Sequence, residues 1–205
     1  MLKQFHATTY LLSRITKERS KKQRRLLENT IEELKAKQVI QEVTDNLKDQ
    51  FISTLFVAQQ KNKIRTIFNL NPLNAFVELT KFKIKCLPLL RSTLRENDYM
   101  MKLDLKDAYY SNTITKQHRK YVRFIFGNVM YEFRCLPFGL SSAPRTFTKV
   151  LKTAISLLRK QGMRVIIYID DLLLVHQDPR ELMRMFNEVC QLLSNLGSIV
   201  KEEKC

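Results

Sequence analysis

The sequence predicts an α+β fold in which a mostly antiparallel sheet is packed by helices on one face. Pairs of short apolar strands alternate with longer helical patterns in no regular βαβ cycle, which argues against a doubly wound parallel sheet. The chain has 205 residues, of which 44% are hydrophobic. It is therefore long enough to bury the core of one compact domain or of two closely joined lobes.

The first half of the chain predicts a helix followed by a hairpin. Residues 21–43 carry apolar side chains at helical spacing among Lys, Arg, Glu and Gln, which predicts an amphipathic helix. Residues 51–70 predict two strands joined by the basic turn QQKNK. Pro72 and Pro88 then bracket a loop and a helix.

The second half predicts two further hairpins and two helices. NDYMMKLDLKDAYYSNTI indicates a strand that runs into a short helical turn, and KYVRFIFGNVMYEFRCL indicates two strands around Gly127 and Asn128. A helix stopping at Gly162 precedes the hairpin RVIIYIDDLLLVHQ. Pro179 then opens a helix that Gly197 closes, and SIVKEE begins another strand.

The charge balance points to a polyanionic partner. Lysine and arginine total 36 against 20 acidic residues, giving a net charge of +16. Nucleic acid is the leading candidate, although ribosomal, chromatin and membrane-surface proteins share such a balance. The four cysteines form no CxxC pair. They indicate free thiols in a reducing compartment and no zinc site.

Nothing at the start of the chain resembles a secretion signal, and its apolar runs are shorter than the roughly 18 residues of a membrane helix. We therefore expect an intracellular protein, cytoplasmic or nuclear and not secreted, with no membrane partner.

Two clusters of acidic residues are the candidates for chemistry. Asp170 and Asp171 interrupt the apolar run VIIYIDDLLLV, where buried carboxylates are costly unless cations compensate them. An exposed hairpin turn would also account for them. Asp104 and Asp107 stand where another strand ends, and a helix cap or a turn would account for each of these.

Carboxylates from two strand ends suit magnesium, which takes oxygen ligands and keeps several waters. A pair of such ions can activate an attacking oxygen and stabilise a leaving oxygen, as polymerases require. The two clusters together therefore predict a two-metal site.

Four segments resemble, in this order along the chain, the successive motifs of reverse transcriptases. They are IRTIFNLNPLN at 64–74, LDLKDAYY at 103–110, LPFGLSSAPRTF at 136–147 and YIDD at 168–171. Among subgroups, the chain most resembles long-terminal-repeat retrotransposons, particularly the DIRS-like ones.

The resemblance implies a right-hand polymerase fold with fingers and palm. The fingers would comprise residues 1–78, with the N-terminal helix, and residues 113–142. The palm would comprise residues 79–112 and 143–205 and would end before the primer grip and thumb. The full element would supply the remaining polyprotein domains, such as the thumb and ribonuclease H.

The resemblance also assigns roles to the acidic residues. Asp104, Asp170 and Asp171 would be the catalytic metal ligands, joined by the backbone of Leu105. The cofactor would be two Mg²⁺ ions, with Mn²⁺ as an alternative. Lys204 would be a candidate general acid for the pyrophosphate leaving group, although an exposed lysine at a strand end would account for it equally well.

A nucleotide-binding set follows from the same resemblance. Arg65 would clamp the triphosphate with help from Lys61 or Lys63, and backbone amides of Asp107 and Ala108 would contact it. Tyr109 would act as a steric gate against a 2′-hydroxyl, unless it is an ordinary core aromatic. Phe138 and Gly139 would border the nucleotide and template pocket.

The implied activity is RNA-directed DNA synthesis, in which a primer 3′-hydroxyl attacks a deoxynucleoside triphosphate. The partners would be an RNA or DNA template with its primer, and dNTPs. The chief alternative is a catalytically inactive, nucleic-acid-binding remnant of a truncated retroelement. A basic structural protein, such as a ribosomal component, is a further alternative and predicts no clustering of Asp104 with Asp170.

Overall fold

The computed structural model describes residues 21–45, 49–60, 63–78 and 86–201. The elements up to the middle of the chain are α1 (Lys21–Ala36), β1 (Ile40–Val43), β2 (Ile52–Gln60), β3 (Lys63–Asn69), α2 (Asn71–Asn74), α3 (Cys86–Thr93) and β4 (Tyr99–Lys106). A short 3₁₀ helix, Ala108–Ser111, follows β4. The later elements are α4 (Lys116–Arg119), β5 (Arg123–Phe126), β6 (Val129–Phe133), α5 (Ala143–Lys160), β7 (Arg164–Tyr168), β8 (Asp171–His176), α6 (Pro179–Asn195) and β9 (Ile199–Val200).

The chain forms two compact units, each built from two separate segments. As far as their residues are described, the first unit comprises Met1–Leu79 and Asn112–Ala143, and the second comprises Thr80–Ser111 and Pro144–Cys205. The expected fingers and palm segments have boundaries after residues 78, 112 and 142. Their identity as fingers and palm stays a prediction.

The first unit contains a five-stranded sheet in the order β1-β6-β5-β2-β3. Its neighbours pair antiparallel except β2 and β5, which are parallel. Both expected hairpins, β2–β3 and β5–β6, are present, and Gly127 takes a positive φ of 60° at the turn of the second. Phe68 packs edge-on against Phe124 and Phe133, with ring centroids 5.0 and 4.8 Å apart.

The second unit contains a four-stranded sheet in the order β7-β8-β4-β9, and all of its pairs are antiparallel. Its core joins this sheet to helices α5 and α6. The fully buried members include Leu103 on β4, Leu172 and Leu174 on β8, Ile155 on α5 and Val189 on α6. The mixture of sheets and helices agrees with the predicted α+β class, although the single sheet expected from sequence is two sheets.

The predicted first helix ends earlier than expected, because residues 40–43 belong to β1. Gln38 has a positive φ of 55°, and its N–H donates to the Lys35 carbonyl at 2.8 Å. The N–H of Val39 donates to the Leu34 carbonyl at 2.9 Å. This pair of bonds forms a Schellman ending with Gln in the position that glycine usually takes, so the sequence carried no glycine signal for it.

A buried ion pair joins the start of β7 to the turn before β4. The two oxygens of Asp98 accept from Nη2 and Nη1 of Arg164 at 2.6 and 2.7 Å, and the Asp98 side chain is only 3% exposed. The Arg95 amide also donates to this carboxylate. The hydrogen bond from Arg164 holds the pKa of Asp98 below its usual value, against the opposing effect of burial. The pair therefore ties together two segments that lead into strands of the second unit's sheet.

In the portion of the chain described by the structure, no helix combines the length and the apolar character that crossing a membrane requires.

We predict that Asp98→Asn lowers the urea midpoint of unfolding at neutral pH and flattens the acid dependence of stability. The pKa of Asp98 in the folded chain lies below its unfolded value of about 3.9. The full contribution of Asp98 to the free energy of unfolding is therefore present above the unfolded pKa. The contribution is lost as the pH falls through the folded pKa. Urea titrations from neutral pH to about pH 2.5 measure this.

Glu188→Gln is the matched control, since it removes an exposed ion pair with Arg184. Such a pair contributes little, so this variant should follow the unaltered chain at every pH. Equal acid dependence in Asp98→Asn and the unaltered chain would contradict the prediction.

Candidate active site

The pairing of β4 with β8 brings the two acidic clusters together. Asp104 lies directly opposite Asp171 in the antiparallel register. Directly opposed residues point to the same face of a sheet, with Cβ atoms about 4.5–5.5 Å apart. Two carboxylates that are far apart in sequence therefore share one small area of the second unit.

Asp170 adjoins this pair through the turn of the β7–β8 hairpin. Tyr168 pairs with Asp171, which leaves Ile169 and Asp170 as the two-residue loop. The carbonyl of Asp170 accepts from the Leu105 N–H at 3.2 Å, so the loop is bonded to β4 beside Asp104. Ile169 has a φ of 55°, which is strained for a β-branched residue and occurs at tight turns as well as at functional sites.

A lysine that sequence reasoning did not single out binds the Asp104 carboxylate. Nζ of Lys201 donates to Oδ1 and Oδ2 of Asp104 at 3.1 and 3.0 Å. The Lys201 N–H also donates to the Asp104 carbonyl at 2.9 Å, in register with the pairing of β9 to β4. The Asp104 side chain is only 8% exposed, so water screens its charge little. The ammonium of Lys201 balances that charge.

Asp171 has a similar partner in a more exposed setting. Nζ of Lys102 lies 3.0 Å from Oδ2 of Asp171, with the lysine side chain 55% exposed and the aspartate side chain 36% exposed. The hydrogen bond to Asp171 raises the pKa of Lys102 above its ordinary value. Lys102 lies two residues before Asp104 on β4 and therefore shares its face of the sheet.

The donor chemistry at this site fits a divalent cation. Carboxylate oxygens are the ligands that Mg²⁺ takes, and the positions of Lys201 and Lys102 show that the acids already attract cations. Within the described ranges, no group of three or more His, Cys, Asp or Glu side chains is arranged to hold a metal ion. The structure thus supports the pair Asp104 and Asp171 with Asp170 alongside, while the roles of all three and of the Leu105 backbone as metal ligands stay predictions.

The segment after β4 places three predicted nucleotide-binding residues. Asp107 takes a positive φ of 52°, and its carbonyl accepts from the Tyr110 N–H at 2.8 Å. Ala108 is buried at the start of the 3₁₀ helix. Tyr109 packs edge-on against Phe147, with centroids 5.6 Å apart. Burial, and next the negative charge of Asp170, raise the pKa of Tyr109.

The remaining predicted nucleotide-binding residues that the structure describes belong to the first unit. Arg65 is exposed on β3, opposite Ala58. Phe138 is 45% exposed, and Gly139 has a φ of 96°, which only glycine adopts readily. Lys61 and Lys204 lie outside the described residues, as does the side chain of Lys63. The roles of these residues in nucleotide binding and catalysis stay predictions.

Asn74 is a second residue that sequence reasoning missed. Its Nδ2 donates to the Gly139 carbonyl at 2.9 Å, and its Oδ1 accepts from the Ser141 N–H at 2.8 Å. Both side-chain groups of Asn74 therefore hold the loop that contains Phe138 and Gly139. The motif IRTIFNLNPLN contained this residue, but only the folded chain reveals its contact 65 residues away.

A basic cleft of about 750 Å³ opens on the first unit. The residues that line it are Gln41, Asp45, Lys116, Gln117, Arg119, Lys120, Arg123, Glu132 and Arg134. Its two acids are both paired with Arg123, which is only 2% exposed. Burial lowers the pKa of Arg123, but its bonds to Asp45 and Glu132 outweigh this effect and raise it. The cleft therefore presents an excess of positive charge to an anionic ligand.

Comparisons with known proteins agree with the resemblance drawn from the four motifs. The family described as reverse transcriptase (RNA-dependent DNA polymerase) matches residues 48–205. The chain is similar to the Transposon Tf2-3 and Tf2-7 polyproteins of Schizosaccharomyces pombe, with 25% and 24% identity over 151 residues. These matches cover 74% of the chain and 11% of each polyprotein, so the chain spans a small part of these relatives.

Proposed function

Since the chain belongs to the reverse transcriptase family, we propose that it is an RNA-directed DNA polymerase core with Asp104, Asp170 and Asp171 at its catalytic centre. The observation that carries this proposal is the β4–β8 register, which opposes Asp104 and Asp171 and bonds the Asp170 loop to β4. A basic structural protein would have no need for charged groups in this position.

The three aspartates and the Leu105 backbone would hold two Mg²⁺ ions, or Mn²⁺ in their place. When bound, these ions would activate the primer 3′-hydroxyl and neutralise charge on the triphosphate and the departing pyrophosphate. The protein's own contribution is to hold the carboxylates in place. The buried leucines of β4 and β8 fix the strand register, and the hydrogen bond from Leu105 fixes the loop of Asp170.

The substrates in this proposal are deoxynucleoside triphosphates and a primed RNA or DNA template. Arg65 would bind the triphosphate through its guanidinium, which offers five N–H donors to phosphate oxygens. Backbone groups of Asp107 and Ala108 would contact the same triphosphate. The Tyr109 ring would restrict space at the sugar, and its packing on Phe147 supports this because a ring fixed by a neighbour cannot easily yield.

The basic cleft supports a nucleic-acid partner. Lys116, Lys120 and Arg134 are cations that line it and would lie against backbone phosphates, and its acids are already paired with Arg123. Contacts of this kind carry no base specificity, which suits a polymerase that must accept any template sequence.

We predict that Asp104→Asn or Asp170→Asn each reduces magnesium-dependent primer extension by about 100-fold or more, because each change removes charge that a metal ion needs. Extension of oligo(dT) on poly(rA) measures this. Asp49→Asn makes the same chemical change at an exposed residue of the first unit and should retain activity. If the unaltered chain shows no magnesium-dependent synthesis, the inactive nucleic-acid-binding remnant becomes the better description.

We predict that Tyr109→Ala weakens discrimination against ribonucleotides by about 10- to 100-fold, since it removes the bulk that would meet a 2′-hydroxyl. The measurement is the ratio of kcat/KM for a dNTP to that for the matching rNTP. Tyr109→Phe keeps the ring and its contact with Phe147, and should keep the discrimination. An unchanged ratio in Tyr109→Ala would leave Tyr109 as an ordinary core aromatic.

We predict that the double change Lys116→Gln and Lys120→Gln weakens binding to an RNA–DNA duplex and lowers the salt dependence of that binding. Loss of two phosphate contacts reduces the slope of log K against log salt by roughly 1 to 2. Fluorescence anisotropy at several salt concentrations gives the slope. The control is Lys21→Gln with Lys22→Gln, an equal loss of exposed charge on α1. If the two double variants gave equal slopes of log K against log salt, the cleft would not be part of the surface that binds the duplex.

A further inference from the structure

The side chain of Lys201 occupies the oxygens that a cation at Asp104 would need. Its Nζ lies 3.1 and 3.0 Å from both carboxylate oxygens, and its backbone N–H is bonded to the carbonyl of the same residue. Lys201 is therefore bonded to Asp104 through its side chain and through its backbone. The backbone bond fixes where its side chain starts, and the side chain then reaches the carboxylate.

A buried carboxylate needs a positive partner, and the ammonium supplies one. The Asp104 side chain is 8% exposed, so an uncompensated charge there would be strongly unfavourable. A divalent cation would meet the same need, but it cannot share these oxygens with a lysine without repulsion between like charges. Lysine and metal therefore compete for Asp104.

The lysine is able to leave. Its side chain is 36% exposed, so the ammonium can move into water while its backbone stays paired with β4. A flexible four-carbon stem with rotatable donors makes such a movement easier than it would be for a planar guanidinium.

Lys102 forms a comparable but more exposed ion pair on the same sheet. It binds Asp171 through one oxygen at 3.0 Å, and both side chains are far more exposed than Asp104. Solvent and salt screen exposed pairs, so Lys102 should compete with a metal much less than Lys201 does.

We propose that Lys201 is an internal counter-ion of Asp104 that divalent cations must displace, so that this residue sets the metal concentration at which the site fills. This inference rests on the proposed function, because it takes Asp104 as a metal ligand. Lys201 is a positioning residue, because it acts through Asp104 and not on the substrate.

Titration of the full chain with Mn²⁺, followed by the electron paramagnetic resonance signal of the free ion, tests the proposal without any catalytic readout. Lys201→Met should tighten Mn²⁺ binding by about tenfold, the equivalent of one lost charged hydrogen bond. Lys102→Met should tighten it by less than about threefold. Lys149→Met removes an exposed lysine of α5 and should leave the affinity unchanged.

Two further variants keep the result interpretable. Lys201→Arg retains a cation whose guanidinium leaves less easily, so this variant should bind Mn²⁺ as weakly as the unaltered chain or more weakly. If Lys201→Met fails to fold by circular dichroism, Lys201→Gln replaces it with a neutral side chain that can still donate to Asp104, and it should again bind more tightly. A lysine with a purely structural role would leave the affinity unchanged or weaken it on removal, so tightening identifies competition.

The failures can be told apart. If the unaltered chain binds Mn²⁺ and Asp104→Asn abolishes this binding, but Lys201→Met is no tighter, the counter-ion proposal is wrong and the metal site stands. If neither Asp104→Asn nor Asp170→Asn changes Mn²⁺ binding, both the metal site and the counter-ion proposal are overturned.

Discussion

The antiparallel register of β4 and β8 is the constraint on which the candidate site depends. Side chains alternate between the two faces of a strand, so a slip of one residue would turn Asp104 into the core and bring its buried neighbours out. Leu103 and Leu172 face each other in this register and are both fully buried. The apolar contacts that stabilise the sheet are thus the same contacts that bring Asp104 opposite Asp171.

Carboxylates on a core sheet are unfavourable because they are partly removed from water and repel each other. In the second unit, lysines from the same region of the sheet compensate their charge. Lys102 comes from β4 itself and Lys201 follows β9, at the other side of Asp104. The two pairs differ in burial: the Asp104 side chain is 8% exposed and that of Asp171 is 36% exposed. A buried pair is screened less, so Lys201 matters more than Lys102 both to the folded chain and to any cation that approaches.

The local elements of the fold could be predicted where the sequence carries its own signals. The start of α6 at Pro179 and its end before Gly197 are examples, and the structure adds Asp178 as the cap. The end of α1 at Gln38 was missed, because the left-handed residue there is not a glycine. Lys201 was missed for another reason: its contact with Asp104 spans 97 residues, and only the pairing of β9 with β4 creates it.

The basic residues of the cleft and Lys201 differ in their electrostatic effect, because their surroundings differ in burial. Of the lysines in the first unit's cleft, Lys116 is exposed and Lys120 is half-buried, and added salt shields such charges within about 8–10 Å at ordinary ionic strength. The Asp104 carboxylate is only 8% exposed, so salt ions have little access to the carboxylate side of its bond with Lys201. Salt should therefore weaken nucleic-acid binding steeply while changing the competition at Asp104 far less. The net charge of +16 describes only the first of these effects, because the second depends on where a single lysine is held.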